Sequence, residues 1–204
     1  MRARWTALAA GALAVVIAAS LGLAWRGALR DFSSFPPPVM RLVVGVTVFT
    51  VVFAMGPVGT RLARGVPLAG LVAFQGFRVV VEVVLFALHR EGALPVQMTF
   101  EGLNFDVVSG LSALALGAIL WRGRLPRWVV LAWNVIGLAL LLNIVVIAVL
   151  SMPTRLRVFA AEPPNVLVAE PPFVLLPTVL VQAALFGHLL VFRRLRFDAL
   201  AKVR

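Results

Sequence analysis

The 204-residue chain contains no cysteine. That excludes disulfides, thiolate metal sites, iron–sulfur clusters and a cysteine nucleophile. Its single lysine is Lys202, in the C-terminal tail, so no apolar segment offers an amine for a retinal Schiff base. Histidine is nearly as scarce. His89 falls at one end of its apolar segment and His188 near the opposite membrane face, so one copy builds no bis-histidine haem. There is no Walker loop, dinucleotide fingerprint, Ser-His-Asp set or His-Glu-x-x-His pair. No metal site and no cofactor is assigned.

Charge is the other shortage. Only 13% of residues are charged, against about 25% in soluble domains. Hydrophobic residues make up 62%, mean hydropathy is +1.03, and the apolar residues gather in long runs, which is the membrane signature. The net charge of +11 therefore speaks first of topology and anionic headgroups. It does not indicate nucleic acid, because no basic, aromatic-bearing soluble face accompanies it.

A helix needs roughly 20 apolar residues to cross the hydrocarbon core. About six runs qualify: residues 6–24, 42–58, 66–88, 106–121, 128–150 and 172–192. They are too long, and alternate too little, for barrel strands. In lipid that leaves helices. The expected fold is all-α, a polytopic transmembrane bundle forming one domain over residues 1–204. The first run is longer than a signal-peptide core, so a retained helix is expected there, although Gly22 and Ala24 would suit cleavage.

Twelve Lys and Arg residues fall on the side holding both termini and six on the other. This bias predicts cytoplasmic termini in a cell (inner) membrane. Acids agree: Asp31, Glu91, Glu101, Asp106, Glu162 and Glu170 fall on the outer side. Trp5, Trp25, Trp121 and Trp128 mark helix ends, and the basic tail from Arg193 to Arg204 is expected to meet anionic lipids.

The sharpest pattern is in the third run. Gln75, Arg78, Glu82 and His89 are spaced three, four and seven apart. On a helix they share a face roughly 60° wide. The stripe is about 20 Å long, at roughly 1.5 Å per residue. Charges at that depth must face the bundle interior or a cavity. Arg78 and Glu82 form an i,i+4 pair expected to neutralise each other in part. The bland alternative is a structural ion pair pinning the helix to a partner such as Asn143 or Gln182.

Two connections complete the candidates. Residues 89–106 concentrate His89, Glu91, Glu101, Asn104 and Asp106, with Asn104 or Asp106 placed to cap the fourth helix, helped by Thr99 and Glu101. Residues 151–171 are proline-rich and mixed apolar and polar, including Glu162. They are expected either to close over the stripe's mouth or to lie along the headgroups.

Three functional readings follow. One is a bundle that binds or transports a polar or anionic solute, or protons, through an outward-opening polar cavity. Its candidate binding residues are Gln75, Arg78, Glu82, His89, Glu101, Asn104, Asp106 and Glu162. A second is a membrane enzyme using His89, Glu101 and Asp106, and a third a non-catalytic subunit or assembly factor. The bilayer, a small polar solute and further copies of the chain are the partners considered.

Overall fold

The computed structural model describes residues 2–123 and 125–201, all helix, turn or coil. Arg124, Lys202 and Arg204, counted above in the charge bias, lie outside the described residues. Eight α-helices follow one another: α1 (Arg2–Trp25), α2 (Pro38–Met55), α3 (Pro57–Gly65), α4 (Leu68–Ala73), α5 (Phe77–Arg90), α6 (Asp106–Arg122), α7 (Arg127–Leu150) and α8 (Val181–Ala201).

Proline sets many of the starts. Pro38 and Pro57 occupy the first turns of α2 and α3, while Pro67 and Pro126 precede α4 and α7. A helix's first turn has no use for those N–H groups. The third apolar run is one span, Leu68–Arg90, built from α4, a 3₁₀ turn at Phe74–Gly76, and α5. Among the described residues, five spans are long and apolar enough to cross a membrane. With α6, 17 residues long, they make the expected all-helical bundle of about six membrane helices. This is a membrane protein by its helices. Trp25, Trp121 and Trp128 are exposed at helix ends, where tryptophan favours the interface.

The largest difference from the expected bounds is in the last span. The last span begins at Leu176 rather than Pro172, because 171–174 form a turn, and it continues to Ala201 rather than stopping at residue 192. The arginines of the expected tail sustain that extension. Arg193 donates to Ala54 O and, at 3.3 Å, to Gly56 O, at the C-terminal end of α2. Arg194 donates to Arg64 O and Val66 O, both at 3.1 Å, at the end of α3, and pairs with Asp198. Helix C-terminal carbonyls lack partners and favour cations. These two arginines therefore clamp helices together rather than facing outward.

α8 lies at the centre, against α2, α3, α4 and α7, whereas α1 packs chiefly on the turn that precedes α8. The closest pairing joins the α4–α5 span to α6. A Cβ on Gly110 would stand 2.7 Å from Val79 Cγ2, and one on Gly117 would stand 2.7 Å from Ala73 Cβ. Small residues are what bring membrane helices together, since lipid leaves no hydrophobic drive between them.

Three apolar clusters fill the interior among the described residues, and two of them flank the buried polar groups. One, near the arginine clamps, includes Leu71, Val72, Ala113, Trp133 and Leu190. The other, toward the 91–105 and 151–175 connections, includes Leu85, Met98, Leu141, Ile144 and Ala184. Arg78 and Glu82 on the Leu68–Arg90 span, and His188 on α8, lie between buried members of these two clusters.

Candidate functional site

Arg78 is the hub. Its side chain is only 3% exposed, so protein groups must supply every acceptor. Nε donates to Asp106 Oδ2 at 2.9 Å and Nη2 to Asp106 Oδ1, a bidentate pair. Nη1 donates to Ser109 Oγ at 2.8 Å and to Gly137 O at 3.1 Å. It also stands 3.1 Å from His188 Nε2. Four helices thus meet on one guanidinium, whose planar fork suits carboxylate recognition.

That contact fixes the histidine. Asn134 Oδ1 can only accept and a guanidinium only donate, so the proton sits on His188 Nδ1 and the Nε2 lone pair faces Arg78. Nδ1 accordingly donates to Asn134 Oδ1 at 2.8 Å, and Asn134 Nδ2 returns a bond to His188 O at 3.1 Å. Gly137 makes the room: a Cβ there would stand 2.7 Å from His188 Cε1 and 3.0 Å from Ser109 Oγ.

Glu82 occupies the next turn of α5 and is 1% exposed. The expected Arg78–Glu82 pair gives way to a different one: Arg78 engages Asp106, and Glu82 Oε1 accepts from Asn104 Nδ2. The acceptors that Arg78 uses all come from the neighbouring helices α6, α7 and α8. Asn104 also donates to Met98 O at 3.1 Å and accepts from Asp106 N–H at 3.1 Å, capping α6. Glu82 Oε2 is buried with no hydrogen-bond partner among the described residues.

A cavity of about 110 Å³ lies beside these groups. Its ionisable lining is Arg78, Glu82 and Asp106, while its walls are apolar, among them Phe77, Leu85, Leu141, Ile144 and Leu180. The expected polar cavity is therefore an apolar one with a charged edge. Met152, Leu167 and Val168 of the 151–171 connection also line it. That connection is held down by Gln97 Nε2 to Ser151 Oγ at 3.0 Å and Asn165 Nδ2 to Ala148 O at 3.0 Å. The turn entering α8 forms another wall. Leu176–Leu180 is one π-helical turn containing Pro177, which lacks an N–H. Backbone irregularity at membrane depth is tolerated where it borders protein or a cavity.

Of the residues singled out in the sequence, Arg78, Glu82, Asn104 and Asp106 come together. Gln75 is fully buried one turn away on the 3₁₀ turn, where its Nε2 donates to Ala184 O at 2.9 Å. His89 is not among the residues lining the cavity, and its Nδ1 lies 2.9 Å from Leu94 O. Glu101 is exposed, and Glu162 pairs with Arg157 within its own loop at 2.8 Å. His89, Glu101 and Asp106 thus do not form one site. The suggested structural partners also lie elsewhere: Asn143 holds Leu103 O at 2.8 Å and Gln182 reaches Thr47 at 3.0 Å. Among the described residues no three His, Asp or Glu side chains group as a metal site.

Ser109, Asn134 and His188 were missed. His188 lies midway along the span Leu176–Leu200, because that helix runs on past residue 192. Each is one polar residue in an apolar run, and Asn134 and His188 were visible as such.

The fold and site define a polytopic helical membrane protein with a buried, inter-helix ionisable cluster. The chain belongs to the family described as Domain of unknown function (DUF8737), whose model matches residues 37–196. That stretch contains every residue of the cluster and leaves out α1. No curated protein and no solved structure shows a significant match to the chain.

Proposed function

We propose that this protein is a small membrane carrier that exchanges a proton or a cation at Glu82. The observation that carries the reading is a charge count. Two buried acids, Asp106 and Glu82, face one permanent cation, Arg78. His188, accepting from Arg78, adds no charge. One proton or monovalent cation on Glu82 completes the balance. An unbalanced charge at that depth carries a cost of several kcal/mol. The irregular turns at Phe74–Gly76 and Leu176–Leu180 flank the same region, as broken helices do around membrane transport sites.

An anionic solute is less well supported, because Nε, Nη1 and Nη2 of Arg78 all have acceptors already. The arginine bias supports a cell-membrane location with both termini cytoplasmic. Lipid phosphates are then the expected partners of those tail cations not engaged within the bundle.

Infrared difference spectroscopy of the protein in nanodiscs tests the reading. As pH is stepped, the wild type is expected to show a carboxylic-acid band that Glu82→Gln removes and Glu101→Gln keeps. Identical spectra for wild type and Glu82→Gln would overturn it. A second reading, a non-catalytic subunit, draws on how fully Arg78, Asp106, Asn134 and His188 satisfy one another. An obligate partner that copurifies equally with Glu82→Gln, whose own activity is unchanged, would favour it.

A further inference from the structure

We infer that the cavity beside Glu82 binds a small tertiary ammonium, with its N–H on Glu82 Oε2 and its alkyl arms against the apolar walls. The inference rests on the exchange reading above and names the solute class.

Three observations carry it. First, the site has one free acceptor. Asp106 commits both oxygens to Arg78, and Glu82 commits Oε1 to Asn104. Glu82 Oε2 alone is left, on a side chain that is 99% buried. Second, the charge wanted there is a single positive one, for the reason already given. Third, the rest of the cavity is hydrocarbon: Phe77, Val81, Leu85, Leu141, Ile144 and Leu180.

These conditions select among cations. A primary ammonium has three N–H donors, and two of them would meet only apolar side chains. Each unmatched buried donor is worth roughly tenfold or more in affinity. A metal ion needs several oxygen ligands, and one is on offer. A quaternary ammonium has no N–H for Oε2. A tertiary ammonium has one donor and apolar flanks, which is what the cavity presents in mirror image.

Size agrees. A cavity of about 150 Å³ takes benzene, so one of about 110 Å³ takes about four or five non-hydrogen atoms. Trimethylammonium has four. Longer arms would project between α2 and α7, where the lining residues Met40, Val43, Val145 and Val149 are only half-buried.

Binding to the protonated site is a balanced exchange. The Glu82 O–H bond breaks and its proton leaves to water. The carboxylate then accepts the ammonium N–H, and that bond stays with nitrogen. Charge within the cluster is unchanged.

Calorimetric titration of the full chain in nanodiscs tests this with trimethylammonium and its isomer n-propylammonium. The isomers share atoms and charge and differ in N–H count. Wild type is expected to bind trimethylammonium at least tenfold more tightly than n-propylammonium, and to release about one proton per ligand. Glu82→Gln is expected to weaken trimethylammonium at least tenfold. Ala148→Leu, which adds bulk to the α7 wall of the cavity, is expected to weaken it while the carboxylic-acid band remains. Equal binding of the isomers, or undiminished binding in Glu82→Gln or Ala148→Leu, would overturn the inference. A Glu82 band with no trimethylammonium binding sinks this inference and leaves proton exchange standing. Binding with no such band and no released proton would do the reverse.

Discussion

Replacing Asp106 by alanine strips Arg78 of the carboxylate it is directly paired with. The lost groups are the acceptors of Nε and Nη2. What remains around the guanidinium is neutral: Ser109 Oγ, Gly137 O and His188 Nε2. Glu82 is held by Asn104 in the next turn. With Arg78 3% exposed, water cannot take Asp106's place. Breaking a buried pair from one side costs about 3–5 kcal/mol, because the remaining charge loses the partner it is hydrogen-bonded to. Removing both charges should cost less than the two single changes summed. The coupling expected in a cycle with Arg78→Met is about 2 kcal/mol or more, the upper part of the range for directly contacting residues. Unfolding in mixed micelles, followed by far-ultraviolet circular dichroism, measures all four proteins. A loss below about 1 kcal/mol for Asp106→Ala, which is what exposed pairs show, would refute the reasoning. An additive cycle would refute it as well.

Gly137→Ala should destabilise by about 1–3 kcal/mol, the usual result of overpacking, since its Cβ would press on His188 and Ser109. A lowered Tm with a shifted His188 ring resonance checks this. Asn104→Ala removes the bonds to Glu82 and Met98 and the cap on Asp106 N–H. About 1–3 kcal/mol should be lost in the same unfolding assay. At the opposite extreme of exposure, the Ser33 hydroxyl beside Asp31, with Ser34, holds that carboxyl at about 2, below the ordinary 3.8. Its contribution is therefore present above the ordinary value and lost as pH falls toward 2. Ser33→Ala should move the Asp31 titration, followed by nuclear magnetic resonance, back upward.

Much of the bundle is legible in composition. A chain with 62% hydrophobic and 13% charged residues has no route to a soluble globule, and lipid then leaves helices as the backbone solution. Prolines mark the helix starts because their geometry is local. The Arg78–Glu82 stripe is equally legible, since its cause is helical periodicity meeting an apolar background. Local reasoning went astray at the end of α8. Arg193 and Arg194 look like a tail, but their acceptors belong to α2 and α3.

What the sequence by itself determined is the membrane, the helices and the one helix that carries buried charge. What only the tertiary structure decided is who pairs with whom. Arg78 finds Asp106 28 residues away and His188 110 away, because packing brings the acceptors on α6, α7 and α8 around one buried guanidinium. The same packing leaves Glu82 with one free oxygen facing a question of charge that no single segment poses.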